Sequence, residues 1–150
     1  MSSNRSNKTS EVRSLKPDTI SINKNIVRQW NERIWQKDQK AYTDLLSDNC
    51  IFHSLGGVNE IRETVGHILE AFPDARLTIS DQIAEGDKVV TRWRIQGSHQ
   101  GTLWGVVATG NPINYSGISI NRLENGKIVE EWCELDLLTI MTQIGACTPH

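Results

Sequence analysis

The chain is short of most features that announce a function. Its 150 residues hold no apolar run near the ~20 residues that would span a bilayer, so no membrane segment is expected. Only three cysteines occur, Cys50, Cys133 and Cys147, with no C-x-x-C spacing. That excludes an even disulfide framework and a thiolate zinc site, and points to incidental or buried thiols in a reducing compartment. Neither sign of charge dominates: 16 Lys and Arg against 18 Asp and Glu leave a net charge of −2. A nucleic-acid binder relying on a broad basic surface is therefore not expected. Gly101, Gly105 and Gly110 have no following Lys-Ser/Thr, so there is no phosphate-cradling loop. The histidines lack H-x-H and H-x-x-x-H spacing, so no metal site is expected. The opening segment MSSNRSNKTSEVRSLKPDT has no apolar core of the kind a secretory signal needs, and a cytoplasmic location is the expectation.

What is present is equally uneven. Phe and Tyr number two each, whereas there are five Trp. Five large flat surfaces need either a core or the wall of a cavity. Residues 1–19, rich in Ser, Asn and charge, cannot bury enough apolar surface to offset their ordering entropy and read as a disordered tail. One domain is expected over residues 20–147.

Order is expected to begin near Asp18 and Thr19. Ile26, Val27, Trp30 and Ile34 then recur at helical period. A short helix in DQKAYTDLLSD turns Tyr42, Leu45 and Leu46 inward, and NCIFHS reads as a short strand. VNEIRETVGHILEAF follows as a third helix, stopped by Pro73. After Pro73 the period changes to two. In ARLTISDQIAEG the alternating set is Leu77, Ile79, Asp81 and Ile83, and in DKVVTRWRIQGSH it is Val89, Thr91, Trp93 and Ile95, leaving Arg92 and Arg94 outside. Hairpin turns are expected at Glu85-Gly86-Asp87 and at Asn125-Gly126. NPINYSGISINRL and KIVEEWCEL supply two more strands, and DLLTIMTQIG a closing helix ended by Gly145. Helices first, long antiparallel strands next and a last helix make a segregated α+β order. The economical packing is one strongly curved, mostly antiparallel sheet wrapped around the N-terminal helices, leaving a conical space that they only partly fill.

An ordered set of short motifs goes further than periodicity. AFPD after the third helix, AEGDKVV at the hairpin, GSHQG, the T-G turn, NGKIVEEW and a closing QIG follow an upstream FHS…GG…IRETV segment. Over about residues 20–146 this set resembles the SnoaL-like polyketide cyclase (ester cyclase) family of the nuclear-transport-factor-2-like superfamily. The resemblance implies a cone-shaped α+β barrel, a homodimer, and a hydrophobic pocket for a small hydrophobic or aromatic ligand. It implies aldol-type ring closure of a polyketide-like ester or acid by an acidic side chain, with no cofactor and no metal. A non-catalytic binding domain of the same fold, or an isomerase that shuttles a proton on a steroid-like ketone, are the alternatives.

Such chemistry needs a carboxyl whose pKa burial lifts toward neutrality. The candidates are Glu130, Glu131, Glu134 and Asp136. Strict alternation puts Ile128, Glu130, Trp132 and Glu134 on one face, and Val129, Glu131, Cys133 and Leu135 on the other. Characterised cyclases of the family carry an Asp soon after the equivalent of Trp132. Here Cys133 follows directly, then Glu134, with Asp136 two further on, so Glu134 and Asp136 are the expected acids. His99, in GSHQG, is expected as a substrate-polarising partner. His53, Trp30, Trp93, Trp104, Tyr115 and Trp132 are expected to line the pocket.

Overall fold

The structure, a computed structural model, describes residues 16–148; of the tail expected over residues 1–19, residues 1–15 lie outside them, while 17–19 belong to the first helix. Helix α1 spans Pro17–Trp35, starting two residues before the expected point. Pro17 explains this, because its fixed φ suits the first turn of a helix, where no N–H partner is needed. Val27, Trp30 and Ile34 are its buried stripe. At its end Arg33 ties the helix to the next segment, at 2.7 Å from Asp38 and 2.6 Å from Asp44. Helix α2 (Ala41–Leu45) leads into strand β1 (Leu46–Phe52), and helix α3 spans Val58–Ala71. The Glu60 carboxylate accepts from the Gly57 N–H at 3.0 Å, satisfying a donor at the start of α3.

The remaining elements are β2 (Arg76–Glu85), β3 (Lys88–Ser98), β4 (Pro112–Glu124), β5 (Lys127–Leu135) and α4 (Leu137–Gln143). They form the expected α+β fold: one curved five-stranded sheet in the order β1-β5-β4-β3-β2, antiparallel except where β1 runs parallel to β5. Both expected turns form. Gly86 sits at φ 58° in the first, and Asn125 and Gly126 at 49° and 76° in the second, the left-handed pair of a two-residue hairpin turn.

Two β-bulges break the period of two. On β2 the register shifts between Ile79 and Asp81. Gln82 and Ala84 therefore turn inward, and Ile83, expected inside, is 63% exposed. On β5 Leu123 pairs with Ile128 but Arg122 pairs with Glu130, so Val129 is the extra residue. Ile128 faces the core, and beyond the bulge Glu131 and Cys133 face inward while Glu130 and Trp132 face out.

The core has two clusters. One joins α1, α2, β1 and α3 to Val89, Leu123 and Ile128. The other holds Phe72, Trp93, Ile95, Tyr115, Ile140 and Ile144. Between them lies unfilled space.

Candidate functional site

That space is a cavity of about 460 Å³, within the ~300–1,000 Å³ typical of small-molecule sites. Trp30, Ile34, Ile61 and Val65 line it from the first cluster, and Phe72, Trp93, Tyr115 and Ile140 from the second. At its mouth stand Leu55, Trp104, Glu134, Leu135 and Leu137, all exposed. Trp104 is at φ 49° and Gly105 at φ 81°, between Leu103 and Val106, whose backbones bond each other both ways. The turn carries the Trp104 ring out over the mouth, 54% exposed.

The floor depends on a glycine. Trp93 on β3 lies directly over Gly117 of β4, where a Cβ would come within 2.4 Å of the ring. The Trp93 indole N–H donates to Ser119 Oγ at 2.9 Å, and Ser119 Oγ lies 3.8 Å from Cys133 Sγ. Trp93 and Tyr115 meet edge to face, with ring centroids 6.3 Å apart.

One carboxyl group is enclosed in this wall. Glu131 Oε2 accepts hydrogen bonds from Asn121 Nδ2 at 2.7 Å and from Trp30 Nε1 at 3.1 Å. Among the described residues Oε1 has no partner, and it is not among the buried unpaired atoms, so it is open to the cavity. Burial pushes the Glu131 carboxyl above the usual carboxylate range, against the opposing pull of the Asn121 and Trp30 hydrogen bonds. Burial likewise raises the Cys133 thiol to about 11 and holds the Tyr115 hydroxyl in its neutral form. Among the described residues no Lys, Arg or His lines the cavity, and the carboxyl enclosed in its wall is that of Glu131.

The expected site residues divide into two sets. Trp30, Trp93, Trp104 and Tyr115 line the cavity, and Glu134 stands exposed at its mouth. The other four lie elsewhere. Asp136 caps α4, accepting from Thr139 N at 3.0 Å and Thr139 Oγ1 at 2.7 Å, and these bonds hold its carboxyl below the usual range. His99 keeps the strand face of Trp93 but is fully buried beyond the cavity, with Nδ1 2.9 Å from Thr109 Oγ1 and its ring against Phe72. His53 and Trp132 stack on each other at 4.5 Å, Trp132 being turned to the outer face of the sheet by the bulge on β5, and neither lines the cavity. His53 Nε2 lies 3.4 Å from Glu130, which is paired with Arg122. Glu131, one of four acids in the sequence segment, was on the face that strict alternation passes over. The only hint in KIVEEWCEL is that neither alternating set is uniformly apolar.

The sequence profile of the SnoaL-like polyketide cyclases matches residues 25–144, most of the chain and all of the cavity wall. The chain belongs to the SnoaL-like polyketide cyclase family. Solved structures agree in fold. A candidate SnoaL-like polyketide cyclase from Jannaschia superposes with a TM-score of 0.79 at 23% identity, over 90% of this chain and 99% of that one. TsrD from Streptomyces laurentii gives 0.77 at 24%, over 89% and 99%. AclR from Streptomyces galilaeus, a candidate hydroxylase, gives 0.79 at 21%, over 85% and 98%. At such identities the likeness is one of fold, and relatives of this SnoaL-like chain differ in the chemistry ascribed to them. No curated protein matches its sequence.

Proposed function

We propose that this SnoaL-like chain is a cofactor-independent cyclase that closes a ring in a neutral, polyketide-like ester, with Glu131 as the group that moves the proton. The observation that carries this is Glu131 itself, held by two donors on one oxygen and open to a largely apolar cavity through the other. In the ring closure, Glu131 Oε1 takes a proton from a carbon flanked by carbonyls, and that C–H electron pair passes to a carbonyl oxygen as an enolate. The enolate carbon bonds to a second carbonyl carbon of the same molecule. The alkoxide so formed takes the proton back from Glu131, and no atom is gained or lost. A pKa lifted toward neutrality suits a group that must both accept and return a proton. The neutral Tyr115 hydroxyl supplies a donor for developing charge on oxygen.

The charges argue for an ester over a free acid. A carboxylate ligand would enter a wall that holds the Glu131 carboxyl and no basic side chain among the described residues, and it would find no partner for its buried charge. Trp93 and Trp104 provide faces on which a flat ring system stacks. Incubating an uncharged β-keto ester and its free acid with wild type, Glu131→Gln and Asp136→Asn, and following ring closure by NMR, tests this reading. Wild type and Asp136→Asn should close the ester in preference to the acid, and Glu131→Gln should lose ~10²–10⁴-fold in rate. An active Glu131→Gln would refute the assignment. Proton exchange on a cyclic ketone without ring closure would favour the isomerase reading, which needs the same Glu131 and Tyr115. Ligand binding with neither reaction would favour a binding domain.

We place the working form of the chain in the cytoplasm, where its three unpaired thiols stay reduced, and as a homodimer through the outer sheet face. Ile83, Val90, Ile120 and Trp132 pair in one row across that face, and Asp81, Arg92, Ile118 and Glu134 in the next. A two-fold axis along the strands sets the Arg92 side of one copy against the Glu134 side of the other, a self-complementary match of charge around an apolar centre. Ile120→Lys should shift the sedimentation profile from dimer to monomer, and a wild type that sediments as a monomer would exclude the arrangement.

A further inference from the structure

Glu131 is held asymmetrically, and the asymmetry has chemical content. A carboxylate oxygen has two lone-pair directions for hydrogen bonds. On Oε2 both are occupied, by the indole N–H of Trp30 from α1 and the amide N–H of Asn121 from β4. Asn121 is fully buried, and its Oδ1 has no hydrogen-bond partner among the described residues. The amide thus gives up a bond on its oxygen while directing its N–H at Glu131. An unpaired buried acceptor is costly, so the Nδ2 bond to the carboxyl is what fixes this orientation.

We infer that Trp30 and Asn121 are positioning residues that confine the transferable proton of Glu131 to Oε1, the oxygen open to the cavity. The inference rests on the role proposed for Glu131 and adds the atom that carries the proton. In the acid form Oε2 is the carbonyl oxygen, accepting from both donors, and Oε1–H points to the ligand. In the base form Oε1 has the free lone pair, while charge on Oε2 is met by the two donors. The same oxygen therefore takes up and returns the proton, with no rotation of the carboxyl group between the steps.

The other titratable groups packed around Glu131 do not compete for this proton. From β1, the Cys50 thiol is raised to about 12, chiefly by burial with Glu131 and Glu130 adding to it. From β5, Cys133 is raised to about 11. Both remain protonated throughout the range in which a carboxyl titrates. Glu130 on the outer face is held ionised by Arg122. No charged group of α1 or β4 hydrogen-bonds to Glu131 among the described residues; the partners are the indole and the amide.

Infrared difference spectra between acid and alkaline solution test the placement, with Glu131→Gln identifying the Glu131 C=O band. Asn121→Leu removes the amide in a side chain of similar size, and Trp30→Phe removes the indole N–H while retaining an aromatic ring. If Oε2 is the carbonyl oxygen, its band moves to higher wavenumber in each variant, and the titration midpoint of the band rises by about one pH unit or more. If the proton resides on Oε2, the carbonyl is already free and the band stays where it is in the wild type. An unmoved band in either folded variant overturns the inference. The band shift is read without substrate, so loss of catalysis in the wild type would count against the cyclase reading alone.

Discussion

Gly117→Ala tests whether the cavity floor is built as described. A Cβ at this position would lie 2.4 Å from Cζ2 and Cη2 of Trp93 and 2.8 Å from the Glu134 carbonyl oxygen. Carbon atoms pack at ~3.5–4.0 Å, so the indole must retreat by about 1 Å. It has little freedom, because Nε1 is bonded to Ser119 Oγ and the ring meets the Tyr115 edge. Overpacking of this kind costs ~1–3 kcal/mol, and weakening the Trp93–Ser119 bond adds ~1 kcal/mol. Together these make about 2–4 kcal/mol, a fall in Tm of about 5–15 °C for a chain of this size. Gly66→Ala is the control: it lies within α3 with no atom near its would-be Cβ, and should gain ~0.5–1 kcal/mol from helix propensity. Thermal unfolding by circular dichroism, with tryptophan fluorescence recorded on the folded proteins, reads both. A Gly117→Ala protein that melts with the wild type and keeps its fluorescence would refute the placement of Trp93.

Three further perturbations separate the groups around the cavity. Glu131→Gln should stabilise the protein in a pH-dependent way. The folded-state pKa is raised, so the unfolded chain ionises first, and wild type loses stability as pH climbs from the ordinary carboxylate value through the raised one. Urea unfolding should therefore show wild type and variant alike at about pH 4 and the variant more stable at about pH 8; equal stability at both would contradict the burial. Asp136→Ala should lower Tm at neutral pH by removing the cap of α4. Its folded pKa is depressed, so the two proteins should converge as acid protonates that cap, and a difference that persists in acid would point to another cause. Trp104→Ala should change stability by no more than ~0.5 kcal/mol, being half exposed on a turn. It should weaken binding of a flat apolar ligand about tenfold by fluorescence titration, and unchanged affinity would remove Trp104 from the binding surface.

The sequence carries the fold further than it carries the site, and the reason is visible in β5. The helices, hairpin turns and segregated α+β order follow from signals within a few residues, such as Asn125-Gly126 or the Val27, Trp30 and Ile34 stripe. Facing on a strand depends on unbroken alternation, and one extra residue reverses it. The bulge at Val129 turns Glu131 and Cys133 inward and sends Trp132 to the outer face, where it finds His53. The bulge near Ser80 does the same to Ile83. Neither has a marking glycine or proline. His99 shows the complementary failure: its strand face is as expected, but the 109–111 segment closes over it and takes its Nδ1. Trp93 and Tyr115 keep the inward face that alternation gives them because β3 and β4 pair without a register shift, and Trp30 lies on the helical stripe of α1. Of the five Trp, Trp35 also lines the cavity and only Trp132 does not.

Solvent deuterium uptake at the acidic carbon of a β-keto ester, followed by NMR against pH, tests the role of Glu131 most directly because it requires only proton transfer. Wild type should catalyse the exchange with a titration set by one raised carboxyl, and Glu131→Gln should reduce it to the uncatalysed rate. Exchange that continues at the wild-type rate in Glu131→Gln would contradict the account at its centre.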